Sequence, residues 1–332
     1  MSALIDTTEM AERMRERIIR PAQREVLISR VAGSAQEPDF SVPPNAGGLG
    51  RIRHFRRETP DGWPDNPLPI DPAAKALGIE AEAVIRAQVF QNAACAWRCW
   101  YCYVPFNLLG GDERRGEWTS AEALVDAFAS EPDRPSVLDL SGGSPDLTPE
   151  WIVWTMDALE QRGLADQVYL WSDDNLSTDY VFTRLDARQQ ERLAEYRNYG
   201  RVCCFKGFDE ESFCFNTGAT EGFDRQFELF KRYLELGMDL YGYVTLTGPS
   251  TGPVETGIPR FMDRLQSISA NLPLRVVPLA IAPFGPMLAR PEGGKRVAGL
   301  GVQEAAIKLW EDEIARRFDV STRARSIADV PL

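Results

Sequence analysis

Residues 83–105 read AVIRAQVFQNAACAWRCWYCYVP. The first nine form a short run rich in Val, Ile and Phe, of strand rather than helix length. A loop follows in which Cys95, Cys99 and Cys102 stand as C-x3-C-x2-C, crowded by Trp97, Trp100, Tyr101 and Tyr103. Three thiolates so close in sequence can close round one face of a metal centre, because soft sulfur suits iron–sulfur clusters and zinc. A closed structural zinc site takes four ligands, and no fourth cysteine or histidine lies nearby. A cubane [4Fe–4S] cluster held by three cysteines leaves one iron open for chemistry. The competing readings are a zinc knuckle and thiols that share a loop by chance.

Downstream, SVLDLS, QVYLWS, RVCCFK, LYGYVTLT and LRVVPLAIA repeat the strand signature. Between them lie segments of helical length: SAEALVDAFAS, TPEWIVWTMDALEQRG, DARQQERLAEYRNYG, EGFDRQFELFKRYLELG and IPRFMDRLQSIS. Several open on Ser, Thr or Asp caps and close on Gly163, Gly200 and Gly237. Such alternation implies parallel strands with crossover helices packed outside. The expected fold is α/β, a partial (β/α)6 barrel with an N-terminal extension and a C-terminal helix, VQEAAIKLWEDEIARRF. Three regions are expected: an N-terminal helix and extended wrapping segment over 1–83, the barrel over 84–290, and the C-terminal helix and tail over 291–332.

Within the first region a charged helix is expected from Thr8 to Ser29, then extended chain over 30–73, where Pro and Gly are dense. That stretch holds RIRHFRRE, in which Arg51, Arg53, Arg56 and Arg57 form the strongest basic cluster of the chain. It reads either as a solvated strand or loop pairing with local acids, or as a contact for an anionic substrate or partner.

The chain has 332 residues, 44% hydrophobic and 26% charged, which excludes low-complexity disorder and a small disulfide scaffold. Its net charge, 37 − 49 = −12, argues against whole-surface attraction to nucleic acid or anionic membrane. No apolar run approaches a membrane span and the start carries acids and no apolar core of a signal, so a cytoplasmic location is expected. One histidine, His54, removes Ser-His-Asp triads and His-rich metal sites. In a reducing compartment the six cysteines are not three disulfides.

The cysteine loop resembles the signature of the radical S-adenosylmethionine (radical SAM) superfamily, CxxxCxxC type, in which an aromatic residue such as Tyr101 commonly precedes the third cysteine. The resemblance covers about residues 84–290 and implies an oxygen-sensitive enzyme. Cys95, Cys99 and Cys102 would hold a [4Fe–4S] cluster whose open iron chelates SAM, and reductive cleavage would give a 5′-deoxyadenosyl radical. Gly142-Gly143-Ser144-Pro145 resembles the family's Gly-Gly-Glu-Pro segment, whose backbone holds the SAM amino group; Ser144 replaces the Glu. At the end of the third strand Asp173, Asp174 and Asn175 put carboxylates and an amide on the rim, suited to ribose hydroxyls or a bound cation, with a solvated loop as the other reading. Lys206, where it points to the pocket, can pair the SAM carboxylate, Tyr101 joins these cofactor contacts, and the resemblance places the adenine along VVPLAIAPFGP. It also implies a reductant protein, flavodoxin or ferredoxin. From Lys206 through Asp209 and Phe213 to Thr217-Gly218 the chain resembles the glycyl-radical (pyruvate formate-lyase) activating enzymes. Those usually carry an Asp two residues before the Lys, where this chain has Cys204.

Strand alternation puts Cys204 and Lys206 on one face and Cys203 and Phe205 on the other. Cys203, Cys204 and Cys214 read as small buried residues, with Cys204 or Cys214 as the alternative hydrogen donor to a substrate radical. The substrate expected is a peptide or small molecule. Glycyl-radical activation, RNA or nucleoside modification through RIRHFRRE, and a noncatalytic iron–sulfur electron-transfer module are the rival functions.

Overall fold

The computed structural model describes residues 5–60, 62–249, 254–290 and 297–332. Helix α1 (Thr7–Arg15) is capped by Asp6, whose carboxylate accepts from the amides of Thr8 and Glu9 at 3.0 and 3.1 Å. The charged helix expected to reach Ser29 stops there. Pro21 lacks an amide proton and Val26-Leu27-Ile28 favours extended chain, so β1 (Ile19–Arg20) and β2 (Glu25–Ser29) form a hairpin instead. With β5 (Gly116–Ser120) they make a three-stranded antiparallel sheet.

The region expected to wrap as extended chain supplies β3 (Gly50–Arg56) and runs into α2 (Ile70–Leu77). RIRHFR is therefore a sheet strand, paired antiparallel with β4 (Val84–Phe90). Five further strands follow at the expected places, all parallel: β6 (Val137–Leu140), β7 (Tyr169–Asp174), β8 (Tyr199–Phe205), β9 (Leu240–Thr245) and β10 (Val276–Leu279). The sheet order β10-β9-β8-β7-β6-β4-β3 is open between its ends, giving six parallel strands of a partial barrel and one antiparallel edge strand.

The crossovers carry α3 (Ala121–Ala129), α4 (Pro149–Gln161), α5 (Tyr180–Thr183), α6 (Ala187–Glu195), α7 (Glu210–Thr217), α8 (Phe223–Glu235) and α9 (Val254–Ile268). After them come α10 (Gly285–Leu288), α11 (Leu300–Arg317) and α12 (Val320–Arg323). Gly163 and Gly237 have positive φ just past helix ends. Gly200 does not cap: it lies inside β8, where a Cβ would sit 2.1 Å from Tyr169 Oη, so its small size makes room for that ring in the lumen. None of the described helices is long and apolar enough to cross a membrane.

Two cores result. Leu138, Leu170, Phe205 and Val244 face outward onto the helices, meeting Phe128, Trp151 and Phe261. Phe55, Val137, Trp171, Val202 and Tyr241 face inward and fill the lumen. Ala73 of α2 and Ile327 join this inner cluster. Arg57, just past β3, pairs with Asp71 of α2, and Ser326 Oγ donates to the same carboxylate at 2.8 Å. These contacts close the lumen where the parallel strands begin, leaving the opposite mouth for chemistry.

Candidate metal and cofactor site

The cysteine loop leaves β4 at that open mouth, and its backbone is anchored from two sides. The amides of Arg98 and Trp100 donate to Thr217 O and Asn216 O at 3.2 Å, which docks the loop on the end of α7. The Trp100 indole donates to Asn216 Oδ1 at 3.1 Å and the Trp97 indole to Thr7 Oγ1 at 3.3 Å. Arg98 Nη1 donates to the carbonyls of Cys95 and Trp97 at 2.7 and 2.8 Å, while Arg290 donates to Trp100 O at 3.0 Å and Val104 O at 2.6 Å. The carbonyls are thereby occupied and the three thiols, all free, are the groups left to act.

Cys95 Sγ is surrounded by donors. Ser144 Oγ lies 3.1 Å away, the Trp97 amide 3.4 Å and Asn175 Nδ2 4.0 Å. Asn175 Nδ2 also donates to Ser144 Oγ at 2.8 Å and to Gly143 O at 3.1 Å. Gly142 and Gly143 have φ of +78° and +67°, and a Cβ on Gly143 would fall 2.5 Å from the carbonyl oxygens of Asn92 and Ala94. The Gly-Gly turn thus lies directly on the strand end that leads into the cysteine loop. Asn92 ties the two together, donating to Ser144 O at 3.3 Å and Thr148 Oγ1 at 3.1 Å.

Lys206 follows β8 and faces the same space. Burial works against its charge, but Cys204, Tyr101, Cys99 and Cys95 around it hold the ammonium well above the usual lysine range. Burial pushes the Cys99 thiol up to about 12, with Lys206 pulling the other way. Tyr101 Oη meets Thr245 Oγ1 at 3.0 Å, linking the loop to β9. Asp173 accepts from Ser141 Oγ at 2.5 Å; burial lifts its carboxyl above the ordinary range against Ser141, Arg53 and Lys206.

Cys95, Cys99, Cys102, Tyr101, Gly142, Gly143, Ser144, Asp173, Asn175 and Lys206 are therefore neighbours at one mouth. Asp174 departs from the rim position expected of it. The sheet turns it outward, where it is fully buried and paired with Arg201 at 2.7 Å, because successive strand residues face opposite sides. Cys203 lies in the outer core and Cys204 faces the lumen. Cys214, on α7, donates to Thr220 O at 3.6 Å, away from the mouth. Asp139 of β6 went unread in the sequence, and Arg53 of β3, read there only within the basic cluster as a contact for an anionic ligand, joins it in the lumen. An acid inside the apolar run SVLDLS was the signal for the first. Among the described residues, no three Cys, His, Asp or Glu side chains close on one point as a single metal ion needs.

No family model and no curated protein matches the chain. Among solved structures, Streptococcus suis SuiB bound to precursor peptide SuiA is similar at 16% identity and TM-score 0.41, over 54% of this chain and 36% of that one. anSMEcpe with bound AdoMet and Cp18Cys peptide is similar at 11% identity and TM-score 0.40, over 57% and 49%. TsrM from Kitasatospora setae, a radical S-adenosylmethionine methyltransferase with cobalamin and a [4Fe-4S] cluster bound, gives 17% and 0.38, over 55% and 34%. This chain thus matches less than half of each structure's length, and at these scores the likeness is distant. The strand order of the chain itself establishes its fold.

Proposed function

We propose that the chain is a radical SAM enzyme in which Cys95, Cys99 and Cys102 hold a [4Fe–4S] cluster. The observation that carries the reading is the meeting, at one barrel mouth, of three free thiols, the Gly142-Gly143 turn and the Lys206 ammonium. The residues fit such a centre, because Cys95 Sγ already sits among the donors that a ligating thiolate requires. Bound there, the cluster and S-adenosylmethionine would supply a 5′-deoxyadenosyl radical able to abstract hydrogen from a substrate.

The chain's own part is binding, orientation and exclusion of water. Lys206 offers a cation for the SAM carboxylate. The Gly-Gly turn and Ser144 offer backbone for the amino group, while the Ser144 side chain is turned to Cys95. Asp173, Asn175 and Tyr101 complete the contacts around it. Trp97 and Trp100, both buried, keep water from the cluster side. Of the two thiols considered as hydrogen donors, Cys204 is the one that faces the lumen. A flavodoxin or ferredoxin would deliver the electron. The substrate would be a peptide or small molecule. Arg51 and Arg53 face inward with Phe55 and Arg57 pairs with Asp71, so RIRHFRRE keeps Arg56 as its exposed cation and makes a poor nucleic-acid surface.

Anaerobic reconstitution with iron and sulfide, followed by dithionite and SAM, tests the reading. Iron near four atoms per chain, an EPR signal altered by SAM and formation of 5′-deoxyadenosine are expected, all lost in Cys95→Ala, Cys99→Ala and Cys102→Ala. Zinc bound after purification with supplied iron, or a cluster indifferent to SAM, would leave a noncatalytic metal module.

A further inference from the structure

We infer that the lumen between Asp139 and Arg53 is the substrate pocket of this site, and that it takes a small zwitterion of the free amino-acid class. What happens to that ligand rests on the radical reading above; its binding does not. Strand register fixes the place. Asp139 is level with Val89 of β4, itself level with Arg51 of β3, and Arg53 follows on the same face. Asp139 is 0% exposed and neither of its carboxylate oxygens has a hydrogen-bond partner. Arg53 stacks on the Phe55 ring at 4.0 Å and makes no hydrogen bond or ion pair among the described residues. Of the two neighbours, Asp173 accepts from Ser141, and Arg51 donates to Tyr103 Oη at 3.2 Å through one nitrogen while its buried Nε has no partner and adds a second guanidinium to the same face.

A buried carboxylate beside a half-buried guanidinium, each with open hydrogen-bonding capacity and not paired with each other, is costly unless something completes it. The complement to both is one molecule with an ammonium for Asp139 and a carboxylate for the Arg53 fork. A purely cationic ligand leaves Arg53 unmatched and a purely anionic one leaves Asp139 unmatched. An internal peptide residue brings neither charge on its backbone. Burial, with Asp173 close by, raises the Asp139 carboxyl well above the ordinary carboxylate range against the pull of Arg53 and Arg51, so an arriving ammonium would meet a neutral acid and displace its proton. Trp171, Val202 and Tyr241 pack the floor, so the ligand's side chain would be directed to the mouth where Lys206 and the thiols lie.

Calorimetric titration of the reconstituted protein and of the cluster-free chain tests this, using each proteinogenic L-amino acid and its N-acetyl carboxamide. At least one free amino acid is expected to bind and its blocked form to fail. Asp139→Asn and Arg53→Gln should each weaken binding roughly ten- to hundredfold. The inference is overturned if no free amino acid binds, if blocked forms bind equally, or if a folded variant keeps full affinity. Should Asp139→Asn not fold, Arg53→Gln and Arg53→Lys decide it: undiminished affinity in Arg53→Gln overturns it, and partial rescue by Arg53→Lys supports it. If both variants only lose stability and wild type binds nothing, Asp139 and Arg53 merely brace the barrel and the pocket is refuted. 5′-Deoxyadenosine formation without added amino acid reads the radical chemistry separately. Binding without it keeps the pocket and removes the chemistry; its formation without binding does the reverse.

Discussion

Ser144 Oγ lies 3.1 Å from Cys95 Sγ and donates to it, while Asn175 Nδ2 donates to Ser144 Oγ at 2.8 Å. The loop bearing Asn175 is itself fixed by Asp146, which accepts from Ser177 Oγ at 2.5 Å and from the Asn175 and Ser177 amides at 3.5 and 3.3 Å. Three strand ends thus converge on one sulfur. Ser144, which stands where the family it resembles carries Glu, spends its hydroxyl on the thiol.

That relay sets an electrochemical expectation. A donor on a ligating sulfur favours the more negative, reduced state of a cluster. Ser144→Ala in the reconstituted protein should lower the midpoint potential by roughly 60 mV, the one-electron equivalent of a bond of roughly 1.4 kcal/mol. EPR-monitored redox titration measures it. An unmoved potential would reduce Ser144 to a packing residue.

Gly143→Ala should damage the cysteine loop rather than the barrel. Its φ of +67° disfavours a side chain, and the new Cβ would lie 2.5 Å from two backbone oxygens that cannot swing away. A loss of about 2 kcal/mol or more is expected, together with reduced iron per chain on reconstitution. Gly163→Ala is the control: φ is +65° but nothing lies within 4 Å, so about 1 kcal/mol and normal iron are expected. Urea unfolding and iron assay separate the two.

Arg201 and Asp174 are both fully buried and 2.7 Å apart, and Arg201 also donates to Tyr199 Oη at 3.0 Å. Arg201→Met leaves the Asp174 carboxylate without its cation and should cost about 3–5 kcal/mol. The double change Arg201→Met with Asp174→Leu should recover part of that. Equal losses in the single and double variants, by urea unfolding, would deny the coupling.

Burial, reinforced by Asp174, pushes the Asp146 carboxyl up to about 7. Unfolded, it titrates near its ordinary value of about 3.9. Between those values the folded chain binds more protons than the unfolded one, so this group makes stability fall as pH rises through the window and level off above about 7. Asp139, Asp173 and Asp174 are raised too and act with the same sign. The urea midpoint of the cluster-free chain should therefore fall from pH 5 to pH 8, with a shallower slope in Asp146→Asn. An equal slope in the variant would assign the effect to the other acids.

Much of the barrel was legible because strands buried on both faces read as near-continuous apolar runs, and because the helices between them announce their caps. RVCCFK and LYGYVTLT needed no tertiary context. The N-terminal region was less readable. Glu25–Ser29 follows charged residues that favour helix, and pairing with Ile19–Arg20 on one side and with Gly116–Ser120, distant in sequence, on the other holds it extended. Gly200 looked like a helix end for a similar reason: its smallness answers to Tyr169 on the neighbouring strand β7.

The sequence by itself determined the strand-and-helix order, the spacing of Cys95, Cys99 and Cys102, and which side chains share a face, since those are local and periodic properties. Parity alone says that Asp173 and Asp174 point opposite ways, and that Arg51 and Arg53 point the same way. Which way is inward depends on how the sheet curls and on which strand lies beside which. Only the tertiary structure decided that Asp173, Asp139 and Arg53 enter the lumen while Asp174 is spent on Arg201. Only it turned Ser144 toward a sulfur. Those outcomes come from contacts between residues far apart in the chain, and burial then sets the charge, pairing and reactivity of each group.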